Sequence, residues 1–480
     1  MAIEYVCETS GKGNSGFNLI ILGGGSAAFA SAIKATELGA RVAIVEEGVI
    51  GGTCLNRGCI PTKNLLRAGE IYYGSGKHNF AGINLKSKRL NFSALIEQKD
   101  KLVKDLRKAK YLDILKANPN IKFIKGRGEF LSDKEIKVGK DILKTEKFII
   151  ATGASPSILP IEGLDKVEYL TSTEALDLKK VPKSMIILGG RFVALEFAQM
   201  YSHFGTKVTV LQRSNRIIPD DEEEISAALQ KFLEDEGIRI ITGVKLLSVK
   251  ETNGMKIVTC EIDGKRKDFK SESLLVATGR RPNTKGLGLE KAQVKLNDKG
   301  AIIVDDEMRT SVTNIFAAGD VTGEPMLVTV AAHQGAVAAQ NAIDDCCHRK
   351  VNLSFVPHAI FTYPQVASVG LKEKEAIDKG YKVKIRAFDF HLVPKAAVIR
   401  DTRGLIKMVV EDGTDIILGV HILSPEAGDI IHEATVAVQK RMTIQEIIDT
   451  IHVYPTLSES IKMAAQSFLK DVSKFSCCAE

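Results

Sequence analysis

The sequence contains no apolar run long enough to span a bilayer. Its first residues, Met1-Ala2-Ile3-Glu4-Tyr5-Val6-Cys7, lack the basic and apolar regions of a secretory leader. Membrane insertion and export are therefore not expected, and a cytoplasmic location is. Strong charge of one sign is also missing: the net charge of +7 over 480 residues is modest, and the lysines and arginines are scattered. The one dense run, Lys101-Leu102-Val103-Lys104-Asp105-Leu106-Arg107-Lys108-Ala109-Lys110, reads as the solvated face of a helix, so nucleic-acid binding is not expected. Cys-x-x-Cys occurs nowhere, which removes a thioredoxin-type redox pair and the short ligand spacing of a zinc knuckle. In a cytoplasmic chain the eight cysteines are more readily reactive or metal-binding groups than a structural disulfide framework.

What is present is ordinary globular composition, 44% hydrophobic and 26% charged, in a chain long enough for two to four domains. One stretch stands apart: Gly51-Gly52-Thr53-Cys54-Leu55-Asn56-Arg57-Gly58-Cys59-Ile60-Pro61-Thr62-Lys63. On a regular helix, positions five apart differ by about 7.5 Å of rise, beyond the usual reach of a disulfide. If Cys54 and Cys59 pair, the backbone between them must be distorted, and Asn56 and Gly58 are residues that tolerate distortion. The stretch reads either as a redox-active disulfide held over a cofactor or as two buried thiols.

Two dinucleotide fingerprints flank this stretch. Phe17-Asn18-Leu19-Ile20-Ile21-Leu22 reads as a buried parallel strand running into Gly23-Gly24-Gly25-Ser26-Ala27-Ala28, a G-x-G-x-x-A turn. A small-residue helix then extends through Leu38 to a stop at Gly39, and a second strand, Arg41–Val45, ends at Glu46, an acid placed for a ribose contact. The glycines let backbone N–H groups approach a pyrophosphate at the helix N-terminus. The second fingerprint is Met185-Ile186-Ile187-Leu188-Gly189-Gly190-Arg191-Phe192-Val193-Ala194, with its helix stopping at Gly205. Arg191 stands at the third position of the motif, where a glycine is usual. The strand Lys207–Leu211 ends in Gln212-Arg213, with Arg216 beyond, instead of an acid; cations there suit a 2′-phosphate and favour NADPH over NADH. Matching strand ends follow each fold, at Ala151-Thr152-Gly153 and Ala277-Thr278-Gly279, and a third strand ends in Gly319-Asp320. From about Phe355 short β-like runs alternate with helical stretches near 426–440 and 443–451, an α+β module closed by a helix from roughly Ser458 to Val472.

From Phe17 to Glu480 the sequence resembles the pyridine-nucleotide–disulfide oxidoreductases of the lipoamide dehydrogenase and glutathione reductase group. The resemblance implies an α/β fold class with two Rossmann-like three-layer dinucleotide-binding domains plus a C-terminal α+β dimerisation domain. Its boundaries would be a loose arm over 1–16, an FAD-binding domain over 17–161 and 286–353, an NAD(P)-binding domain over 162–285, and a dimerisation domain over 354–480. FAD would lie among Gly23, Gly25, Ser26, Ala28, Glu46, Gly52, Thr53, Gly128, Thr152, Gly153 and Asp320. The nicotinamide cofactor would lie among Gly189, Gly190, Phe192, Glu196, Arg213, Arg216 and Gly279. Lys63 would lie near the flavin and pair with Glu196, and a homodimer would share its active sites.

The C-terminal end departs from disulfide-reducing members. Where they carry His-Pro-Thr, with a glutamate five residues after the histidine, this chain reads His452-Val453-Tyr454-Pro455-Thr456-Leu457-Ser458-Glu459. Glu459 is in place, but Tyr454 occupies the acid's position, and a phenol titrating near 10 replaces poorly an imidazole near 6.5. His452 comes two residues early and would point elsewhere on an extended backbone. The tail carries Cys477-Cys478, soft ligands for a thiophilic metal. Tyr454 together with this vicinal pair resembles the mercuric reductases, without the N-terminal metal-binding module some of them carry. That resemblance implies NADPH-dependent reduction of Hg(II) to Hg(0) through FAD and a Cys54/Cys59 dithiol. Cys477 and Cys478 of the other subunit would deliver the ion, with Tyr454 beside the inner pair. Cys54, Cys59, Tyr454, Cys477 and Cys478 would be the metal-binding groups, and Cys54, Cys59, Lys63, Glu196, Tyr454, Cys477 and Cys478 the catalytic ones. The alternatives are a disulfide reductase of the thioredoxin reductase or dihydrolipoamide dehydrogenase type, and a flavoprotein that sequesters soft ions. Cys346 and Cys347, in a polar linker, read as idle rather than metal-binding, and Cys7 and Cys260 have no partners legible in sequence.

Overall fold

Leu19–Leu22 is a strand because four consecutive apolar residues fill both faces of a parallel ladder, and all four are buried. It is the middle of a five-stranded parallel sheet ordered Ile315–Ala317, Phe148–Ile150, Leu19–Leu22, Val42–Glu46, Ile121–Lys125. Alternate residues go to opposite cores. Leu19, Ile21, Val42 and Ile44 pack with Ala28, Ala32 and Val337 of the helices Ser26–Glu37 and Val328–Ile343. Ile20, Leu22, Ala43 and Val45 pack with Phe130 and Ile136 of a three-stranded antiparallel sheet over Gly128–Lys144. The result is three layers.

The computed structural model describes residues 16–471 apart from Asn84, Lys86, Ser87, Lys88, Asp345 and Cys347. Chain contacts divide it into two units. The first holds the chain up to Pro61, Glu97–Ser157 and Gly279–Leu353, which includes the sheet just described. The second holds Thr62–Ile96, Ile158–Thr278 and the chain from Ser354 onward.

Within the second unit the same layering recurs. A four-stranded parallel sheet is ordered Arg239–Ile241, Lys207–Leu211, Ser184–Leu188, Ser273–Val276. Met185 and Ile187 face Leu195 and Phe197 of the helix Phe192–His203, while Ile186 and Leu188 face Val249, Val258 and Phe269 of an antiparallel meander over 245–271. The same unit carries a five-stranded antiparallel sheet, ordered His358–Ile360, Gln365–Gly370, Ile417–Ser424, Leu405–Glu411, Val383–Asp389. Its Ile406, Met408, Val420 and Ile422 pack against Ile430, Ala434, Ile461 and Ala464 of the helices Ala427–Gln439 and Glu459–Gln466. None of the described helices is long and apolar enough to cross a membrane.

Three local readings are revised. The first strand begins at Leu19, not Phe17. The charged helix, Phe92–Arg107, passes into a π-turn over Lys108–Leu112. The last helix stops at Gln466: the Ser467 hydroxyl donates to Ala464 O at 2.6 Å, and the backbone tightens into turns through Phe468 and Leu469. Ile461 and Ala464 are buried as the periodicity requires, with Phe468 partly buried beside them.

The helices Ser26–Glu37 and Val328–Ile343 meet backbone to backbone. Ser31 Oγ donates to Ala27 O and lies 2.8 Å from Gly335 O. A Cβ at Gly335 would strike Ala27 O. Gly335→Ala should therefore cost about 1–3 kcal/mol by overpacking, read as a lower thermal midpoint of the purified protein; an unchanged midpoint would show that the helices slide apart freely.

Candidate active site

The first fingerprint presents a helix N-terminus with no acidic residue in its first turn, so its N–H groups and dipole are available to an anion. Glu46, at the end of the adjacent strand, accepts from Gly48 N, and its Cγ would lie 2.9 Å from a Cβ on Gly24. A cavity of about 480 Å³ opens here, walled by Gly23, Glu46, Gly52, Thr53, Gly128 and Thr152. Gly25 and Ser26 sit at the helix entry, and Ala28 is fully buried, giving close helix–sheet packing instead of contact. Gly153 adopts φ +70° beyond the strand Phe148–Ile150, where its carbonyl accepts from Asn283 N at 2.9 Å. The cradle fits a dinucleotide in its dimensions, its acid at the ribose position and a helix N-terminus free of acidic side chains.

The cysteine stretch is pressed into this cradle by glycine. Gly51 N donates to Gly24 O at 2.8 Å, and a Cβ on Gly52 would lie 2.6 Å from Gly25 Cα. The chain then forms the helix Gly52–Arg57, breaks at Gly58 (φ −132°, ψ −112°), and resumes as the helix Cys59–Gly74. The break removes the straight-helix separation between Cys54 and Cys59, and it falls at one of the two residues that tolerate it. Both cysteines are half-buried. Asn56 fixes the turn, donating to Ile50 O at 3.0 Å and Gly52 O at 2.9 Å.

Three residues of this unit escaped sequence reasoning. Arg107, the last residue before the π-turn, donates to Asn56 Oδ1 at 2.8 Å. Tyr111, on the π-turn, bonds Ser26 and lies within electrostatic reach of Cys54 and Cys59; burial raises its phenol above the ordinary tyrosine range, against the Ser26 bond. Arg280 donates to Thr53 Oγ1 at 3.4 Å and to Ala154 O, and lies 3.9 Å from Asp320. Burial pulls its guanidinium down, opposed by Asp320 and Cys59, while burial raises the Asp320 carboxyl, opposed by Arg280. Arg280 follows Gly279, so its position after the strand-end glycine was the available signal.

In the second unit Lys63, one turn past Cys59 on its helix, lies 2.9 and 2.8 Å from the two carboxylate oxygens of Glu196. Glu196 is 3% exposed and also accepts from Phe361 N at 3.0 Å; Lys63 lies over the Phe361 ring, 4.7 Å from its centroid. Phe192 opens the fingerprint helix and is exposed. Gly189 has φ +119° at the turn, and Gly190 lies against Gln212, which occupies the acid's place. The arginines diverge: Arg213 is exposed, whereas Arg216 donates to Pro219 O at 2.8 Å and Asp221 O at 3.0 Å.

Tyr454 is exposed in the loop before the last helix. His452 turns away, with Nε2 2.8 Å from Glu433 and Nδ1 2.9 Å from Thr450 O. Glu459 begins the last helix and accepts from Thr456 N at 3.1 Å. Cys7, Cys477, Cys478 and Cys347 lie outside the described residues. Cys346 is exposed, its N–H donating to Asp344 at 2.9 Å. Cys260 is a core thiol that burial pushes up to about 11.

Residues 17–335 match the model of the pyridine nucleotide-disulphide oxidoreductases, and residues 356–465 match that of their dimerisation domain. The chain is 43% identical over 463 residues to a mercuric reductase of Staphylococcus aureus, covering 96% of this chain and 84% of that one. It is 40% identical over 474 residues to a mercuric reductase of Streptomyces lividans, covering 98% and 99%. Among solved structures, the HOCl-induced flavoprotein disulfide reductase RclA of Escherichia coli, as its Cu(II) complex, superposes with a TM-score of 0.85 at 29% identity, covering 94% of this chain and all of that one.

The Lys63–Glu196 pair yields an ordered prediction. Lys63→Met leaves a carboxylate buried without its cation, while Glu196→Gln leaves the lysine, about a third exposed, within reach of water. Lys63→Met should be the more destabilising, by about 1–3 kcal/mol, measured by thermal denaturation of the two variants at neutral pH. The reverse order would mean that the pair does not hold Glu196 in the core.

Proposed function

We propose a function from one premise: the chain belongs to the pyridine nucleotide-disulphide oxidoreductases, in their mercuric reductase branch, and FAD and a pyridine nucleotide are the cofactors of that family. On this reading the protein is a cytoplasmic homodimer that oxidises NADPH and reduces Hg(II) to Hg(0). The observation that carries it is the loop at Tyr454. The position of the general acid in disulfide-reducing members is a phenol, and the imidazole two residues before it, His452, is committed to Glu433.

FAD, when bound, supplies the relay of an electron pair from the nicotinamide to the dithiol. The helix Ser26–Glu37 holds its pyrophosphate and Glu46 its ribose. Lys63 and Glu196 form a fixed charge pair, and Phe192 gates nicotinamide access by stacking. Arg213 is the exposed cation for a 2′-phosphate, which is the reason for NADPH. Cys54 and Cys59, reduced to two thiolates, take Hg(II) by exchange: each incoming thiolate displaces an outgoing one, so a tightly held ion stays mobile. Cys477 and Cys478 of the partner subunit collect the ion from small thiols, and Tyr454 assists the transfer. The first NADPH reduces the cysteine pair. A second NADPH, through FAD when bound, would supply the two electrons that convert the dithiolate-held Hg(II) to Hg(0), which thiolates hold weakly, so the dithiol stays reduced for the next ion. The likeness to a flavoprotein disulfide reductase supports disulfide reduction as the second reading.

The test is NADPH oxidation with Hg(II) in excess thiol, then with lipoamide, glutathione disulfide and oxidised thioredoxin. Volatile mercury should be released in the first assay, with little turnover in the others; turnover of a disulfide without mercury release would establish the second reading instead. Cys477→Ala/Cys478→Ala should spare flavin reduction but slow turnover of thiol-bound Hg(II), and unchanged turnover would remove the delivery role.

A further inference from the structure

The second fingerprint departs from the first at Arg191, and the structure gives the side chain a place. Arg191 is the N-cap of the helix Phe192–His203, in extended conformation, and it is exposed. Its guanidinium forms a two-pronged pair with the Asp220 carboxylate, Nη2 to Oδ1 at 3.3 Å. Asp220 belongs to a loop folded back over the fingerprint, where Ile218 N donates to Gly190 O at 2.8 Å. The loop is anchored on both sides, by Arg216 on the carbonyls of Pro219 and Asp221 and by Lys372 on Asp220 O at 2.7 Å. The pair itself is open to water, with 52% of the Arg191 side chain and 61% of Asp220 exposed.

A helix entry that binds a pyrophosphate ordinarily needs no side-chain cation, and a glycine there leaves room for the phosphate. Here an arginine stands at that entry, with a carboxylate already in its fork. Carboxylate and phosphate compete for the same planar donors, and phosphate offers more acceptor oxygens. An exposed ion pair is worth little, so little opposes the exchange.

We propose that Arg191 is the pyrophosphate-binding cation of the pyridine nucleotide site, and that Asp220 is its internal competitor, displaced when the nucleotide binds. The proposal rests on the reading that the second dinucleotide fold takes the pyridine nucleotide. Nucleotide affinity is then set partly by an exchange within the protein. Because the pyrophosphate is common to both nicotinamide cofactors, Arg191 strengthens both alike, and the choice between them falls to Arg213.

The test uses the FAD-loaded enzyme, with NADP⁺ and NAD⁺ binding measured by titration calorimetry beside KM and kcat for NADPH. Asp220→Asn should tighten both nucleotides about two- to five-fold, the amount an exposed pair returns. Arg191→Gln should weaken both about ten-fold, as expected for a charge-assisted contact, with kcat for flavin reduction little changed. In the double variant the gain from Asp220→Asn should shrink to what relief of direct repulsion alone gives, smaller than the gain with Arg191 present. Equal affinities across all four proteins, a gain from Asp220→Asn undiminished without Arg191, or a loss confined to NADP⁺ would each overturn the proposal. Failure of the nucleotide reading itself is separate: the unmodified enzyme would then bind neither nucleotide.

Discussion

At the candidate site two pairs of glycines bring backbones into close approach. Gly51 donates to Gly24 O, and Gly52 lies so near Gly25 that a Cβ has no room. This contact carries the short cysteine helix to the N-terminus of the dinucleotide helix. Whatever anion that N-terminus holds, the cysteines begin within a turn of it. The parallel sheet sets where the helix starts, Asn56 and Arg107 fix the turn between the cysteines, and Gly58 breaks the helix so that Cys59 begins a new one. A side chain at Gly52 would press on Gly25 and separate the cradle from the thiols.

A second constraint, met separately in each unit, is the pairing of buried charges. Glu196 is in the core because Lys63 and the Phe361 N–H satisfy it. Asp320 and Arg280 are each disfavoured in charged form by burial and each supported by the other. Such pairs add little net stability over apolar packing. On the proposed function, their value is in holding fixed charges without solvent rearrangement. Outside the site the same chemistry is structural: Lys407, almost wholly buried, bonds Glu222, Glu224 and Glu373.

Most of the fold was legible because its signals are local. Four-residue apolar runs ending in glycines mark parallel strands, and both fingerprint turns appear where their spacing placed them. Helix geometry required a distorted backbone if Cys54 and Cys59 pair, and the helix does break between them, at Gly58. Legibility failed where the cause lies far along the chain. Arg107 meets Asn56 from the last helical residue before a π-turn, and Tyr111 lies on that turn, which shifts the helix face by one residue as no periodicity of 3.6 anticipates. Arg280 meets Asp320 only because the chain returns to the first unit after the second sheet. Arg216 looked equivalent to Arg213, yet its guanidinium is taken by carbonyls three and five residues on, a local turn that charge alone does not reveal.

The account stands on Cys54 and Cys59 as the pair that receives electrons from the nucleotide. Differential alkylation with mass mapping tests it directly, on the oxidised FAD-loaded enzyme before and after anaerobic NADPH. The account predicts that Cys54 and Cys59 gain label together only after NADPH, while the buried Cys260 stays unlabelled until the protein unfolds. Equal labelling of Cys54 and Cys59 before and after NADPH would contradict it.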